Sequence, residues 1–321
     1  MSRRRIKKKR SMQDTSGMDS PIYALHTDLH MHSNVSDGRL SPQGVLESAM
    51  MGGLQVIALT DHDMYPQLSF GLHDVESTSD QRDSLVGKQI FVIHGAEISV
   101  SHEQTEQHVL VYFPKEAPEE FRSYCKKLCN NRSERYDEMV LLLQKRGCRD
   151  LDDSVHMTKD GERALTRLHL AHDLIQKGYV KNVREAFDSW LAPLELPHTF
   201  PTIETVLQDM RDMGGMTSWA HPKLNDAKKW LPYFQECGLQ AIEVYRLANK
   251  KYHAKKQLLS MAKSQNLFVT GGSDSHGNRP LGDFFIGLSN YQPWMKLQGL
   301  WDDIECAFQL KISEDDKKKI I

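Results

Sequence analysis

The chain predicts an α/β fold of parallel strands, either closed as a barrel or left as an open sheet. Two observations carry this. Short apolar runs alternate with amphipathic stretches at the spacing of strand–helix units, on both sides of a long helical middle. Side chains that bind metals recur where those apolar runs end, the rim at which α/β barrels keep their chemistry.

In chain order, residues 1 to about 22 predict a disordered basic arm. Its first ten residues, MSRRRIKKKR, hold seven Lys or Arg and no acid. No apolar run follows, so a secretory signal is not expected. Residues 23–114 form the first part of the strand–helix pattern. IYALHTDLHMH reads as a strand. PQGVLESAMM (42–51) reads as a helix capped by Ser41, with Pro at its first position and Gly52–Gly53 at its end. VIALTDH, IFVIHGAEISV and HVLVYFP read as further strands, the last stopped by Pro114. Residues 115–200 show helical periods broken by Gly147 and Gly178 and no strand, which predicts a helical insertion. Alternation resumes over 201–321 with IETVLQDMRDMGG as helix, MTSWAHP and AIEVYR as strands, KYHAKKQLLSMAKSQN as helix and LFVTGGSDSH as strand.

Composition narrows the function classes. The chain has 321 residues, 39% hydrophobic and 26% charged, enough for one large domain carrying an insertion. No stretch approaches the ~20 apolar residues of a membrane helix, so no membrane partner is expected. Five scattered Cys argue against a disulfide framework and for a reducing, cytoplasmic setting. Cys125 and Cys129 share a helix face but lack the second pair a zinc knuckle needs. Net charge is −2, yet beyond the first ten residues 34 basic side chains face 43 acidic ones. An acidic body does not suit a grip on long duplex DNA. A small anionic substrate drawn by bound cations fits better.

Nine residues are candidate metal ligands: His30, His32, Asp37, His62, Glu97, His108, His221, Asp274 and His276. Imidazoles and carboxylates in this mixture suit Zn²⁺, Mn²⁺ or Fe, and nine are too many for one ion. A cluster of two or three cations doing hydrolysis is the simplest reading. His30 and His32 lie at i and i+2 of a strand, so their rings share a face, and Asp274 and His276 repeat that spacing. Two such histidines alone would read as a surface pair; the SDG turn with Asp37 nearby makes the pattern more specific. His62 sits between Asp61 and Asp63, either of which can orient its ring. Glu97 follows buried apolar residues, and a carboxylate there needs a cation partner. Every candidate is expected at the C-terminal end of its strand or just beyond it, although His108 starts its apolar run. His102 ranks below His108, because its loop, SHEQTEQ, is polar. His94 reads as a packed core histidine, and most of the remaining histidines as surface or structural. No GxSxG elbow or Gly-rich nucleotide loop is present.

These segments, in this order, resemble the PHP (polymerase and histidinol phosphatase) family of metal-dependent phosphoesterases, from about Leu25 to His276. The likeness is nearest to its branch of nucleoside 3′,5′-bisphosphate phosphatases and RNase AM-type 5′→3′ exoribonucleases. The signs are the helical insertion with Arg167-Leu168-His169-Leu170-Ala171, the strand end Ala220-His221-Pro222 and the strand Ile242-Glu243-Val244. The chain departs from that branch around APLELPHTFP and just after Pro222. The resemblance implies a distorted (β/α)7 TIM-like barrel with a helical insertion and three metal sites. These would be His30, His32, Glu97 and Asp274; Glu97, His108 and His221; and Asp37, His62 and His276. Mn²⁺ is the expected ion, with Fe or Zn²⁺ as alternatives.

The function expected is phosphate-ester hydrolysis on a small nucleotide or short RNA, with water activated by the cations. Asp37, His62 and His276 are its candidate catalytic residues, with His169 as a substrate contact or proton donor. Arg167, Lys223 and Ser33 are candidate substrate contacts, Arg because its fork matches phosphate. Two alternatives stand beside this: a histidinol-phosphate type of phosphatase on the same scaffold, and a non-catalytic RNA-binding protein.

Overall fold

A computed structural model describes residues 25–74, 88–151, 163–194, 200–246, 252–297 and 299–308. The basic arm, His156, His198 and part of APLELPHTFP lie outside these residues. Nine strands make one mixed sheet: β1 (His26–Met31), β2 (Val56–Leu59), β3 (Gly71–Asp74), β4 (Gln89–His102), β5 (Thr105–Phe113), β6 (Met216–Trp219), β7 (Ala241–Arg246), β8 (Phe268–Gly272) and β9 (Ile286–Gly287). Their order is β8-β7-β6-β5-β4-β2-β1-β9, with β3 paired to β4 off this path. The path nearly closes. Beyond β8 the chain reaches back to β1, where Asp274 N donates to His30 O (2.8 Å) and His32 N to Ser275 O (2.9 Å). Seven strands thus come round into a distorted barrel, and β9 is a two-residue antiparallel addition to β1.

Closure depends on one glycine. A Cβ at Gly272 would stand 2.3 Å from His30 Cβ and 2.5 Å from His30 N, so only glycine lets β8 approach β1 this closely.

The expectation of parallel strands holds for β1–β2, β2–β4, β6–β7 and β7–β8. It fails at β5, which runs antiparallel to both β4 and β6. The cause is a two-residue turn at Glu103 and Gln104, both with positive φ (43° and 59°), which folds β4 straight back as a hairpin. The N-terminal half of β5 therefore lies beside the C-terminal half of β4, with His108 opposite Ser99.

Helix α1 (Pro42–Met51) begins as its sequence dictates: the Ser41 hydroxyl accepts from Gly44 N at 3.1 Å and Pro42 occupies the first position. The 115–200 segment contributes α2 (Glu119–Lys145), α3 (Arg167–Gln176) and α4 (Val183–Ala186). These helices pack a cluster of their own around Tyr136, Leu143, Leu170 and Leu174. A buried ion pair, Arg132 of α2 with Asp63, ties them to the barrel. Helices α5 (Ile203–Asp212) and α6 (Leu224–Glu236) pack against β4, β5 and β6 through Val206, Leu231 and Phe234. The sequence pattern does not reveal α6, whose run contains Pro232.

On β5 His108, Leu110 and Tyr112 share one face. Leu110 and Tyr112 join Leu29, Ala58, Trp294 and Trp301 in one buried cluster. Each such side chain stabilises the fold by about 1.5–3 kcal/mol on burial. The result is a rigid floor beneath the polar rim.

Candidate metal centre

All nine expected ligands converge on that rim. His30 lies in β1 and His32 just after it; His62 follows β2, His221 follows β6, and Asp274 and His276 follow β8. Asp37 comes from a turn that Asp61 holds: the Asp61 carboxylate accepts from Ser33 N, Ser33 Oγ and Ser36 Oγ at 2.6–2.7 Å. Two ligands stand elsewhere than the C-terminal strand ends. Glu97 sits in the middle of β4 and His108 in the N-terminal half of β5, because the hairpin presents both to the same rim. His221 and Asp274 adopt positive φ (34° and 54°). Such strain in non-glycine residues persists only where surrounding contacts hold it, and it clusters at functional sites.

Glu97 is the hub. Its Oε2 lies 3.2 Å from His30 Nε2, 3.2 Å from His32 Nε2 and 3.3 Å from His62 Nδ1. Its Oε1 lies 2.9 Å from His108 Nδ1 and 2.7 Å from His221 Nε2. A fully buried carboxylate facing five imidazoles, with its two oxygens on different groups, is suited to bridging cations. Asp37 gathers a second group: Oδ1 lies 3.3 Å from His276 Nε2 and 3.8 Å from His32 Nδ1, and Oδ2 lies 3.7 Å from His62 Nε2. Asp274 Oδ1 stands 3.5 Å from His32 Nε2 and 3.7 Å from His30 Nε2. Among the described residues four groups of potential ligand atoms result, the atoms of each lying within 4.8 Å of one another. One joins His32, Asp37, His62 and His276, so His32 reaches beyond the partners the resemblance assigned it.

The residues fit metal ions on a further ground. Both ring nitrogens of His32, and Nδ1 of His62, are buried and make no well-directed hydrogen bond, although Glu97 Oε2 stands 3.2 Å and 3.3 Å from two of them. Buried polar atoms without a good hydrogen bond are costly, and His32 accordingly belongs to two of the groups that could hold a cation. Electrostatics within the cluster is strong. Burial pushes the Glu97 carboxyl up, but His62, His30, His108 and His221 outweigh it and hold the group well below its usual range. Burial holds His62 well below its usual range, against the pull of the Glu97 and Asp37 carboxylates. At His32 and His108 burial also lowers the pKa, yet the facing carboxylates prevail and raise them to about 10 and about 9. Cations would displace protons from those two rings, because only neutral imidazole ligates.

Orienting groups surround the ligands, and the sequence reading missed several. Glu243 is fully buried: its Oε1 lies 2.9 Å from His30 Nδ1 and its Oε2 accepts from His221 N at 2.7 Å. That contact fixes a proton on Nδ1 and turns Nε2 of His30 toward Glu97. Asp28 Oδ1 accepts from His30 N and Ser273 N, and burial raises its carboxyl to about 6. Spacing offered one clue, since Asp28 precedes His30 by two on the same strand face. Glu243 appeared only as part of a family motif.

Other expectations need correction. Neither Asp61 nor Asp63 orients the His62 ring: Asp61 holds the Asp37 turn, and Asp63 accepts from Ser99 N (2.7 Å) and pairs with Arg132. Ser33 is fully buried with its hydroxyl donated to Asp61, so its side chain does not face a substrate. His169 caps α3: its Nδ1 accepts from Thr166 N (3.0 Å) and its Nε2 lies 2.8 Å from Arg163 Nη2. Its Nδ1 is thereby committed to the cap. Arg167, the first residue of α3, donates to Glu106 Oε2 at 2.9 Å. Lys223 is exposed two residues after His221. His94 and His102 stand outside the cluster. His94 is hydrogen-bonded in the core, and His102 packs on Trp230, Tyr233 and Phe234.

Comparison with known proteins finds relatives along most of the chain. The PHP domain family matches residues 28–195. A 3′,5′-nucleoside bisphosphate phosphatase of Chromobacterium violaceum is 29% identical over 267 residues, which cover 79% of this chain and 90% of the relative. The 5′-3′ exoribonuclease Rnm of Escherichia coli is 26% identical over 295 residues, covering 88% and 95%. A crystal structure from Bifidobacterium adolescentis, described as a metal-dependent phosphoesterase, superposes with a TM-score of 0.66 at 23% identity. It covers 91% of this chain and 98% of its own, and that likeness speaks for the fold. Among the described residues no helix is long and apolar enough to cross a membrane. With a family match over half its length and a rim of imidazoles and carboxylates able to hold cations, this chain belongs to the PHP domain family and is a metal-dependent phosphoesterase.

Proposed function

We propose that the enzyme hydrolyses phosphate esters of nucleotides: the 3′-phosphate of nucleoside 3′,5′-bisphosphates, short 5′-phosphorylated RNA from its 5′ end, or both. Mn²⁺ is the proposed ion, with two or three bound. The observation that carries this is the Glu97 hub with its five imidazoles, in a chain whose two relatives above are named for those activities. A cavity of about 450 Å³ adjoins Asp274 and His276 and is lined also by Arg246, Arg279, Leu281 and Phe284. Its size lies in the range of small-molecule sites, and its apolar walls suit a nucleoside beside the scissile phosphate.

The cations would supply a nucleophile drawn from water and neutralise charge on the phosphoryl oxygens. The chain's own residues do the rest. Asp37, His62 and His276 gather with His32 in one ligand group, and His62 also joins Glu97 and His108 in another. Arg246 Nη2, 3.4 Å from Asp274 Oδ2, steadies Asp274. Arg167, with its side chain one-third exposed, keeps donors free to grip a phosphate beside its bond to Glu106. Lys223 adds a point charge at the same rim.

The test is a screen of Mn²⁺-loaded protein against adenosine 3′,5′-bisphosphate, a short 5′-phosphorylated RNA, histidinol phosphate and p-nitrophenyl phosphate. The reading expects one of the first two to give the highest kcat/KM. Preference for histidinol phosphate would overturn the substrate class, and no turnover of any of them would contradict catalysis.

A further inference from the structure

Outside the nine ligands, Glu106 is a half-buried carboxylate that touches both the metal cluster and the helical segment. Glu106 precedes His108 by two residues on β5, so both side chains face the same rim. His108 turns Nδ1 toward Glu97 Oε1 (2.9 Å) and His221 Nε2 (3.2 Å). Its other nitrogen, Nε2, lies 3.3 Å from Glu106 Oε1. The second Glu106 oxygen, Oε2, receives Arg167 Nη2 of α3 at 2.9 Å and stands 3.5 Å from Arg135 Nη2 of α2. Arg135 is itself held, its guanidinium 5.0 Å over the Phe200 ring.

We propose that Glu106 is a positioning residue: it sets the His108 imidazole for metal and couples the helices of 115–200 to the cluster. The physical case is direct. A histidine ligand needs its proton on the far nitrogen and its ring fixed, and a carboxylate accepting that N–H does both while making the ligand more basic. Two guanidinium groups from separate helices then fix the carboxylate. A change in the pose of α2 or α3 therefore moves the ring of a metal ligand without touching the ion. Arg167, the proposed phosphate contact, sits on the same oxygen, so substrate arriving at the helices and metal held by the barrel share one group. The inference rests on the metal-dependent reading above but not on its substrate.

The experiment is calorimetric titration of the metal-free full chain with Mn²⁺, with no substrate present, on Glu106→Ala, Glu106→Gln, Arg135→Gln and the double variant Glu106→Ala/Arg135→Gln. Glu106→Ala should weaken binding about 10–100-fold, the usual loss when a ligand's orienting partner is removed. Glu106→Gln retains an acceptor for the ring and should recover part of that loss, which a merely structural role would not predict. Arg135→Gln should weaken binding in the otherwise unaltered chain and have less effect once Glu106 is Ala, the non-additivity expected of residues acting through one another. Melting curves of the metal-free variants identify any that fail to fold, and Glu106→Gln, nearly isosteric, serves if Glu106→Ala does not fold. Affinity in Glu106→Gln and Glu106→Ala within twofold of the unaltered chain would overturn the proposal. So would an Arg135 effect of full size in the Glu106→Ala background. Failure of the nucleotide screen would leave these outcomes readable, and success there would not rescue them.

Discussion

Glu243→Gln isolates the most buried orienting contact of the cluster. Glu243 is fully buried, with Oε1 2.9 Å from His30 Nδ1 and Oε2 2.7 Å from His221 N, so each oxygen serves a different ligand residue. Glutamine keeps the shape but has one oxygen. Whichever way its amide turns, an NH₂ group meets an N–H, either that of the His30 ring or that of the His221 backbone. Leaving one buried donor unsatisfied costs about 1–3 kcal/mol. In the first pose His30 loses the partner that fixes its proton; in the second His221, already at a strained φ of 34°, loses its anchor. Either way the ligands meet the ion less well prepared, and Mn²⁺ affinity should fall about 10–100-fold. Calorimetric titration at pH 8 measures this directly, and melting of the metal-free form reports any loss already present before metal binds. A variant that is as stable as the parent and binds Mn²⁺ within twofold of it would refute the reasoning.

Further expectations follow from the same geometry. Asp37→Ala removes the carboxylate shared by His32, His62 and His276 and should lower kcat at saturating Mn²⁺ by at least about 100-fold; near-normal turnover would remove Asp37 from the cage. Arg167→Ala should chiefly raise KM with a smaller change in kcat, as expected for a phosphate contact; unchanged steady-state kinetics would exclude it from the site. His94 supplies a pH test away from the cluster. Its Nε2–H donates to Leu68 O (2.9 Å) and its Nδ1 accepts from Ala117 N (3.0 Å), so only the neutral ring satisfies both, and burial holds its pKa below the ordinary 6.5. The unfolded chain then takes up the proton first as pH falls. The stability His94 contributes is complete above pH 6.5 and is lost as pH drops through the folded-state pKa. Melting temperature from pH 7.5 to 5 should therefore fall less steeply in His94→Gln than in the parent, and equal slopes would count against this.

Much of the centre could be read from sequence because its ligands come in patterns with a geometric meaning. Two histidines at i and i+2 on a strand must share a face, and a polar cluster after an apolar strand must stand at a rim. Strand direction has no such signature. TEQHVLVYF reads the same parallel or antiparallel, and the turn that reverses it uses Glu103 and Gln104 where a glycine would have announced a hairpin. Glu106 and Glu243 stayed hidden for a related reason: a single acid in a strand shows no periodicity, and only the fold reveals what it faces. His169 has a structural role that its motif does not announce. Thr166-Arg167-Leu168-His169 places an imidazole where a capping box usually has Glu or Gln, so the sequence shows a candidate site residue and not the cap it makes. The capped helix starts with Arg167, so this cap also sets where that guanidinium stands.

Catalysis at this rim requires cations held among these nine side chains. Anomalous diffraction from Mn²⁺-soaked crystals, recorded on either side of the manganese edge, measures that directly. The account predicts at least two peaks at the rim, one of them within bonding distance of Glu97 and the others shared among Asp37, His62, His276, His32 and Asp274. A rim without anomalous density, or manganese bound only elsewhere on the surface, would contradict it.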